Sequence, residues 1–277
     1  GHFDGAGHTI SGLNVTKART YYGFFGCLDN ATVENLTLKG QVYCAEPYAR
    51  VGGLAGYAIG DVTIRNCGSA VNVSALARGC EGVGGLVGGY EDGIEYKWED
   101  HRLVIENSYN AGNIVCTGSD ANTTIGGLVG GNKNCVQLEN CYNVGTVYGP
   151  GVQSAGLLGN AGAQTGDNCK PSMKGCYNAG KVAGSGNYNG EIAGSNAGDE
   201  NGNPSTVSNC YYLDGTGWNA VGNGKGSITN TESKTAAQFA NGTVLALLKA
   251  GARTGTDPWA DECKYLTAAG RTLPVFK

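Results

Sequence analysis

Long apolar runs are absent from this 277-residue chain, so no segment approaches the length of a membrane span. An excess of positive charge is absent too. The formal net charge is −4 and no basic stripe occurs, which argues against nucleic acid as a partner. Histidine is scarce, with only His2, His8 and His101. None is followed by Glu in an H-E-x-x-H pattern, so a metallopeptidase centre of that kind is excluded. Regularly spaced CxxC pairs and Cys/His clusters are lacking, which removes the usual structural zinc sites. Thr32, Thr63 and Thr146 form no Thr-x-Thr ladder of the sort an ice-binding face needs. No signal peptide precedes the first motif, and the expectation is a segment of a longer secreted protein with flanking domains.

What the chain has is repetition. A Gly-Leu-x-Gly phrase recurs as GFFG (from Gly23), GLAG (from Gly53), GLVG (from Gly85), GLVG (from Gly127), GLLG (from Gly156) and a degraded EIAG (from Glu191). A second phrase follows each: ENL at Glu34, RNC at Arg65, ENSYN at Glu106, ENCYN at Glu139, KGCYN at Lys174 and SNCYY at Ser208. One supersecondary unit is therefore repeated about six times. The 49 glycines exclude long helices, since an interior Gly costs about 1 kcal/mol relative to Ala. Short apolar stretches such as Val33, Leu36 and Leu38 alternate roughly with polar residues, and Gly and Asn suit the corners between short strands. The reading is all-β, a parallel β-solenoid of about six coils. A propeller is the competing fold, but no regular hairpin signal supports it.

These phrases resemble GLUG repeats from about Phe3 to Tyr212, with Phe3-Asp4-Gly5-Ala6-Gly7-His8-Thr9-Ile10-Ser11-Gly12-Leu13 similar to the usual opening. The resemblance implies a right-handed parallel β-helix in large bacterial surface proteins, immunoglobulin-A peptidases among them. It implies no activity, because such repeats accompany catalytic domains.

Of the 11 cysteines, Cys67, Cys141, Cys176 and Cys210 share the repeat position held by Leu36 and Ser108, and are expected to be buried and reduced. Cys135 and Cys169 lie in neighbouring corners and form the disulfide candidate, since adjacent strands are about 4.8 Å apart. Cys44 and Cys116 share another position, and either could pair with Cys80. The odd total leaves at least one thiol or an intermolecular link.

The repeat spans residues 1–212, and residues 213–277 break it. Thr235 and Gln238 form a capping-box pattern, and Val244, Leu245, Leu247 and Leu248 a helical apolar stripe. Gly242 separates two short helices and Gly251 ends the second. The assigned role is capping an open solenoid end, with a ligand module as the alternative.

The insertions point to a site. From the Gly-Leu phrase to the next Asn or Gly is 12 residues in the first unit (Gly23 to Asn35), and 13 in the second and fourth. It grows to 22 in the third (Gly85 to Asn107), 19 in the fifth and 18 in the sixth. Equivalent corners of a solenoid stack along one edge, where a binding face is expected. The third insertion is the richest, and Tyr90, Glu95, Tyr96, Trp98, Glu99, Asp100 and His101 are its candidate ligand-binding residues. A solvated hairpin or a catalytic site are the other readings of that segment. In the sixth, Asp199, Asn201 and Asn203 alternate as calcium ligands do, although no later bidentate Glu follows and a plain Asn/Gly turn fits as well.

Glu34, Glu106 and Glu139 fall at one position of the repeat and are expected to form an exposed column of like charge. The function expected is a non-catalytic extracellular binding, adhesion or spacer module on a bacterial cell surface, with a host glycan or glycoprotein as its partner. The alternative is a carbohydrate-active β-helix enzyme, a polysaccharide lyase or glycosidase, which would need paired carboxylates or calcium-holding Asp clusters.

Overall fold

The computed structural model describes the chain except residues 19, 77–78, 92–100, 119–122, 133–134, 150–152, 162–169, 187, 197–204, 216, 225 and 253–256, together with the side chains of 132, 196 and 224. The chain winds into a parallel β-solenoid of about six coils. A 17-stranded sheet forms one long wall, and 6-stranded and 4-stranded sheets form the others. Every pairing between coils is parallel, which excludes propeller blades. The antiparallel pair is Lys264–Leu266 with Arg271–Leu273, in the tail.

The register shows how the core is made. Phe3, Val33, Ile64, Ile105, Leu138, Met173, Val207 and Ile228 occupy one position on successive coils. The six inner members are at most 1% exposed, whereas Phe3 is 37% and Ile228 46% exposed. The column is thus open at both ends. Leu54, Leu86, Leu128 and Leu157 form a second inward column, as expected. Their backbones bond from coil to coil, for example Leu86 N–H to Leu128 O at 2.9 Å.

The glycines of the first phrase bring the two arms of the solenoid into backbone contact, within a coil and between neighbouring coils. A methyl on Gly56 would stand 2.5 Å from Tyr22 N and 2.7 Å from Tyr21 C. The asparagines of the second phrase make the corners. Asn35, Asn66, Asn107, Asn140 and Asn209 all have φ between 48° and 55°, the left-handed region that Asn tolerates. Their side chains also bond along the stack, Asn66 to Asn35 at 3.0 Å and Asn107 to Asn66 at 3.3 Å.

A second asparagine ladder is buried. Asn110 donates to Asn143 at 2.8 Å and Asn143 to Asn178 at 2.9 Å, while each also closes a turn through its own backbone two residues on. The next coil carries Tyr212 at this position. There Asn178 donates instead to the buried Glu191 carboxylate at 2.8 Å, so the Glu of the degraded EIAG phrase completes the ladder.

The solenoid runs past the expected boundary at 212. Ser227–Thr229 and Glu232–Lys234 still pair in parallel with Thr206–Ser208 and Tyr211–Leu213. Helix α1 (Ala236–Ala240) then starts with the Thr235/Gln238 capping box, and α2 (Thr243–Gly251) follows Gly242. The tail packs on the flank of the solenoid, and the end of the core column stays exposed at Ile228. Tyr109, Tyr142 and Tyr177 stack at 5.0 and 4.9 Å, and Trp259, Phe276 and Phe239 lie against these rings. The Tyr177 hydroxyl donates to Pro274 O at 2.5 Å. Stacked rings on neighbouring coils make a broad apolar strip, and a strip of that kind must be covered.

Candidate functional site

The strands that flank the three long insertions lie in one register. Leu103–Glu106, Val136–Glu139, Ser172–Lys174 and Thr206–Ser208 pair successively, and each follows the same corner. Their coil partners before the corner, Val87–Glu91, Val129–Asn132, Leu158 and Ala193–Asn196, also pair successively in parallel. The insertions therefore leave and rejoin the solenoid along one edge.

Of the candidate ligand residues, Glu95, Tyr96, Trp98, Glu99 and Asp100 lie outside the described residues. So do Asp199, Asn201 and Asn203. Tyr90 belongs to the core: it is 1% exposed, and its hydroxyl donates to Gly60 O at 3.1 Å. It lies within the strand Val87–Glu91 and does not begin a loop. His101 stands at the rim of the corner, with Nδ1 2.9 Å from Asp61 Oδ2. Asp61 also accepts from Arg102 N–H at 3.2 Å, so one carboxylate ties the returning chain to the coil beneath.

A second anchor holds the outgoing side. Arg50 Nη2 is 2.8 Å from Glu91 Oε1 and 2.6 Å from Glu81 Oε2. The guanidinium carbon lies 4.5 Å from the centre of the Tyr57 ring, which stacks on Tyr21 at 4.8 Å. Burial, and after it a hydrogen bond to Glu91, pushes the Tyr57 hydroxyl far above its ordinary range. Gly89 leaves room for the Arg50 side chain, since a methyl there would stand 2.6 Å from Arg50 Cδ. Sequence reasoning missed Arg50 and Asp61, which lie one coil before the residues they hold, and Glu81, which reaches back to Arg50 on the coil before it.

Glu81 and Glu91 both ion-pair with the same Arg50 nitrogen, whereas the two carboxyl groups of glycoside hydrolysis flank the scissile bond as acid and base or nucleophile. Among the described residues, no group of three or more His, Cys, Asp or Glu is placed to hold a metal ion. The predicted column of like-charged glutamates is corrected by the register. Arg65 sits between Glu34 and Glu106, and Lys174 follows Glu139. Arg65 bonds Glu34 at 2.6 Å, and with His2 it holds that carboxyl below its usual range.

The thiols are structural in kind. Cys67, Cys141, Cys176 and Cys210 are at most 1% exposed and carry no disulfide. Burial pushes Cys67 up to about 11, and Cys176 and Cys210 well above their ordinary value. Cys44, Cys80 and Cys116 form none of the bridges considered for them, and Cys44 instead hydrogen bonds Cys80. Cys135 is buried, and its candidate partner Cys169 lies outside the described residues. No described helix is long and apolar enough to cross a membrane.

No protein-family model and no curated protein sequence matches the chain. Among solved structures, it is similar to a putative immunoglobulin A1 protease from Bacteroides ovatus, with a TM-score of 0.64 and 17% identity. The likeness covers 99% of this chain and 76% of that one, and at this identity it speaks for the fold alone.

Proposed function

We propose that this chain is a non-catalytic, GLUG-type module of a bacterial cell-surface protein, which presents loops from one edge of a rigid solenoid to an extracellular partner. The observation that carries the reading is the shared edge of the three insertions, the third of which is anchored by Arg50–Glu91 on one side and Asp61–His101 on the other. Tyr96 and Trp98 are the proposed aromatic contacts, with Glu95, Glu99, Asp100 and His101 as their polar rim. The proposed partner is a host glycan or glycoprotein. The name carried by the structural neighbour makes an immunoglobulin one glycoprotein to test. A calcium ion at Asp199, Asn201 and Asn203 belongs to the same proposal, as does the Cys135–Cys169 disulfide.

The test is binding to a glycan array, to immunoglobulins and to mucins by the native chain and by Tyr96→Ala and Trp98→Ala. Loss of about 2 kcal/mol per hot-spot ring corresponds to roughly 30-fold weaker binding. The thermal midpoint should stay in place, because the solenoid core is untouched. Cleavage of a glycan in the same samples would favour the carbohydrate-active alternative. A large fall in midpoint would make the two rings structural.

A further inference from the structure

One stretch of the interior is polar where the rest is apolar. On the 6-stranded sheet, Val51, Val83, Ile125, Ser154 and Asn189 occupy a single inward position on successive coils. The first three are apolar and fully buried. Ser154 and Asn189 are 0% and 2% exposed. The opposing wall thins at the same level, where Gly149 pairs with Gly184. In the earlier coil the gap is filled, since a methyl on Gly149 would run into Ile125 Cδ1. One coil further on, Ser154 replaces Ile125, which removes three carbons and adds one oxygen.

Two oxygens at this level have no protein partner. Ser154 Oγ and Asn189 Oδ1 are buried without a hydrogen bond, although the Asn189 amide nitrogen donates to Gly186 O at 3.0 Å. Both converge with a third. A methyl built on Gly184 would stand 3.0 Å from Asn189 Oδ1, 3.0 Å from Gly149 O and 3.1 Å from Ser154 Oγ. Three oxygens thus converge over the Cα of Gly184.

We infer that this chamber is a built site for one buried water molecule, held by Ser154 Oγ, Asn189 Oδ1 and Gly149 O. The donor and acceptor balance selects water. Asn189 Oδ1 and Gly149 O only accept, so they need two hydrogens. The Ser154 hydroxyl donates one and needs an acceptor. Water offers two hydrogens and a lone pair, and buried waters make about three hydrogen bonds. A metal ion is disfavoured, because three neutral oxygens are too few and carry too little charge for calcium or magnesium. An empty chamber would leave two buried polar groups with their full desolvation cost.

The test has two independent arms. The first is a high-resolution crystal structure of the unaltered chain, supported by water-to-amide cross-relaxation. A single peak about 2.7–3.1 Å from all three oxygens is expected. A peak with contacts near 2.4 Å would mean a cation, and a Ser154 hydroxyl turned directly onto Asn189 with no peak would mean a dry chamber. Either overturns the inference. The second arm is a double-mutant cycle of Ser154→Ile and Asn189→Leu. Each single change expels the water and leaves one oxygen stranded, so each should lower the thermal midpoint by about 2–6 °C. The double variant removes both side-chain oxygens that the water joined, and its midpoint should lie above the value expected from the sum of the two falls. Strictly additive falls would mean that no shared water joins the two residues.

Discussion

A single methyl group on the glycine seam provides the sharpest test of the fold. In Gly56→Ala the new methyl would meet only backbone, at 2.5 Å from Tyr22 N, 2.7 Å from Tyr21 C and 2.9 Å from Tyr21 Cα. Ordinary contact begins near 3.4 Å, so two arms that hydrogen bond to their own neighbours must part by about 0.9 Å. No flexible side chain can yield, which places the cost near the upper end of overpacking, about 3 kcal/mol. Gly56 has no positive φ, so alanine meets no dihedral strain, and it gains about 0.4–1 kcal/mol by restricting the unfolded chain. The net loss is about 2 kcal/mol, or roughly 4–8 °C in the thermal midpoint for a chain of this size. Gly26→Ala is the matched control. Its nearest neighbour would be Tyr21 O at 3.8 Å, so only the unfolded-state gain remains. Melting both variants by far-ultraviolet circular dichroism reads the difference. Equal midpoints within about 1 °C would refute the claim that glycine is needed for backbone contact between the arms.

Other consequences follow from the same contacts. Asn143→Ala removes a side chain that bonds Asn110, Asn178 and the backbone of Gly145, and should cost about 2–3 kcal/mol by urea denaturation. Trp259→Ala opens the tail where it covers Tyr142 and Tyr177, so limited proteolysis should cut after Lys234 while the solenoid strands keep their hydrogen-exchange protection. Native thiol labelling should reach exposed Cys27 first and spare Cys67, Cys141, Cys176 and Cys210, and peptide mapping should recover Cys135 joined to Cys169. The buried thiols also set an alkaline limit. Cys67 is raised in the fold from 9.0 to about 11, so its contribution is complete below pH 9 and is lost as pH climbs towards 11, which a pH series of melts will register.

Much of this architecture could be read because it repeats. Leu54, Leu86, Leu128 and Leu157 fall at one place in one phrase, and an inward column follows directly. The thiol column was legible for the same reason, with Leu36 as the clue to its direction. Repetition misled where a coil departs from the pattern. Arg65 takes the place that Glu holds in three other units, so the predicted line of negative charge is a mixed one. From the sequence Tyr90 counts with the third insertion. Gly89 in fact makes room for Arg50, and the strand continues to Glu91. The helices of the tail were signalled by a local capping box. Their docking place was not, because Trp259 and the tyrosines it covers are far apart in sequence and no local rule links them.

The core column that begins at Phe3 and ends at Ile228 has a consequence for how such a chain changes over generations. Each inner member touches only the coil before and the coil after, in the same parallel register. An in-frame duplication of one unit therefore keeps the original neighbours at its two outer faces and adds one new junction, between the copies, in the same register. Loss of a unit keeps the apolar column but changes the surface, since without the Arg65 coil Glu34 would stack on Glu106. The number of coils is free to drift under recombination, and selection can set the reach of the array without redesigning the apolar column within it. The tail is the exception. It spans Tyr109, Tyr142 and Tyr177 together, so those three coils are inherited as a block.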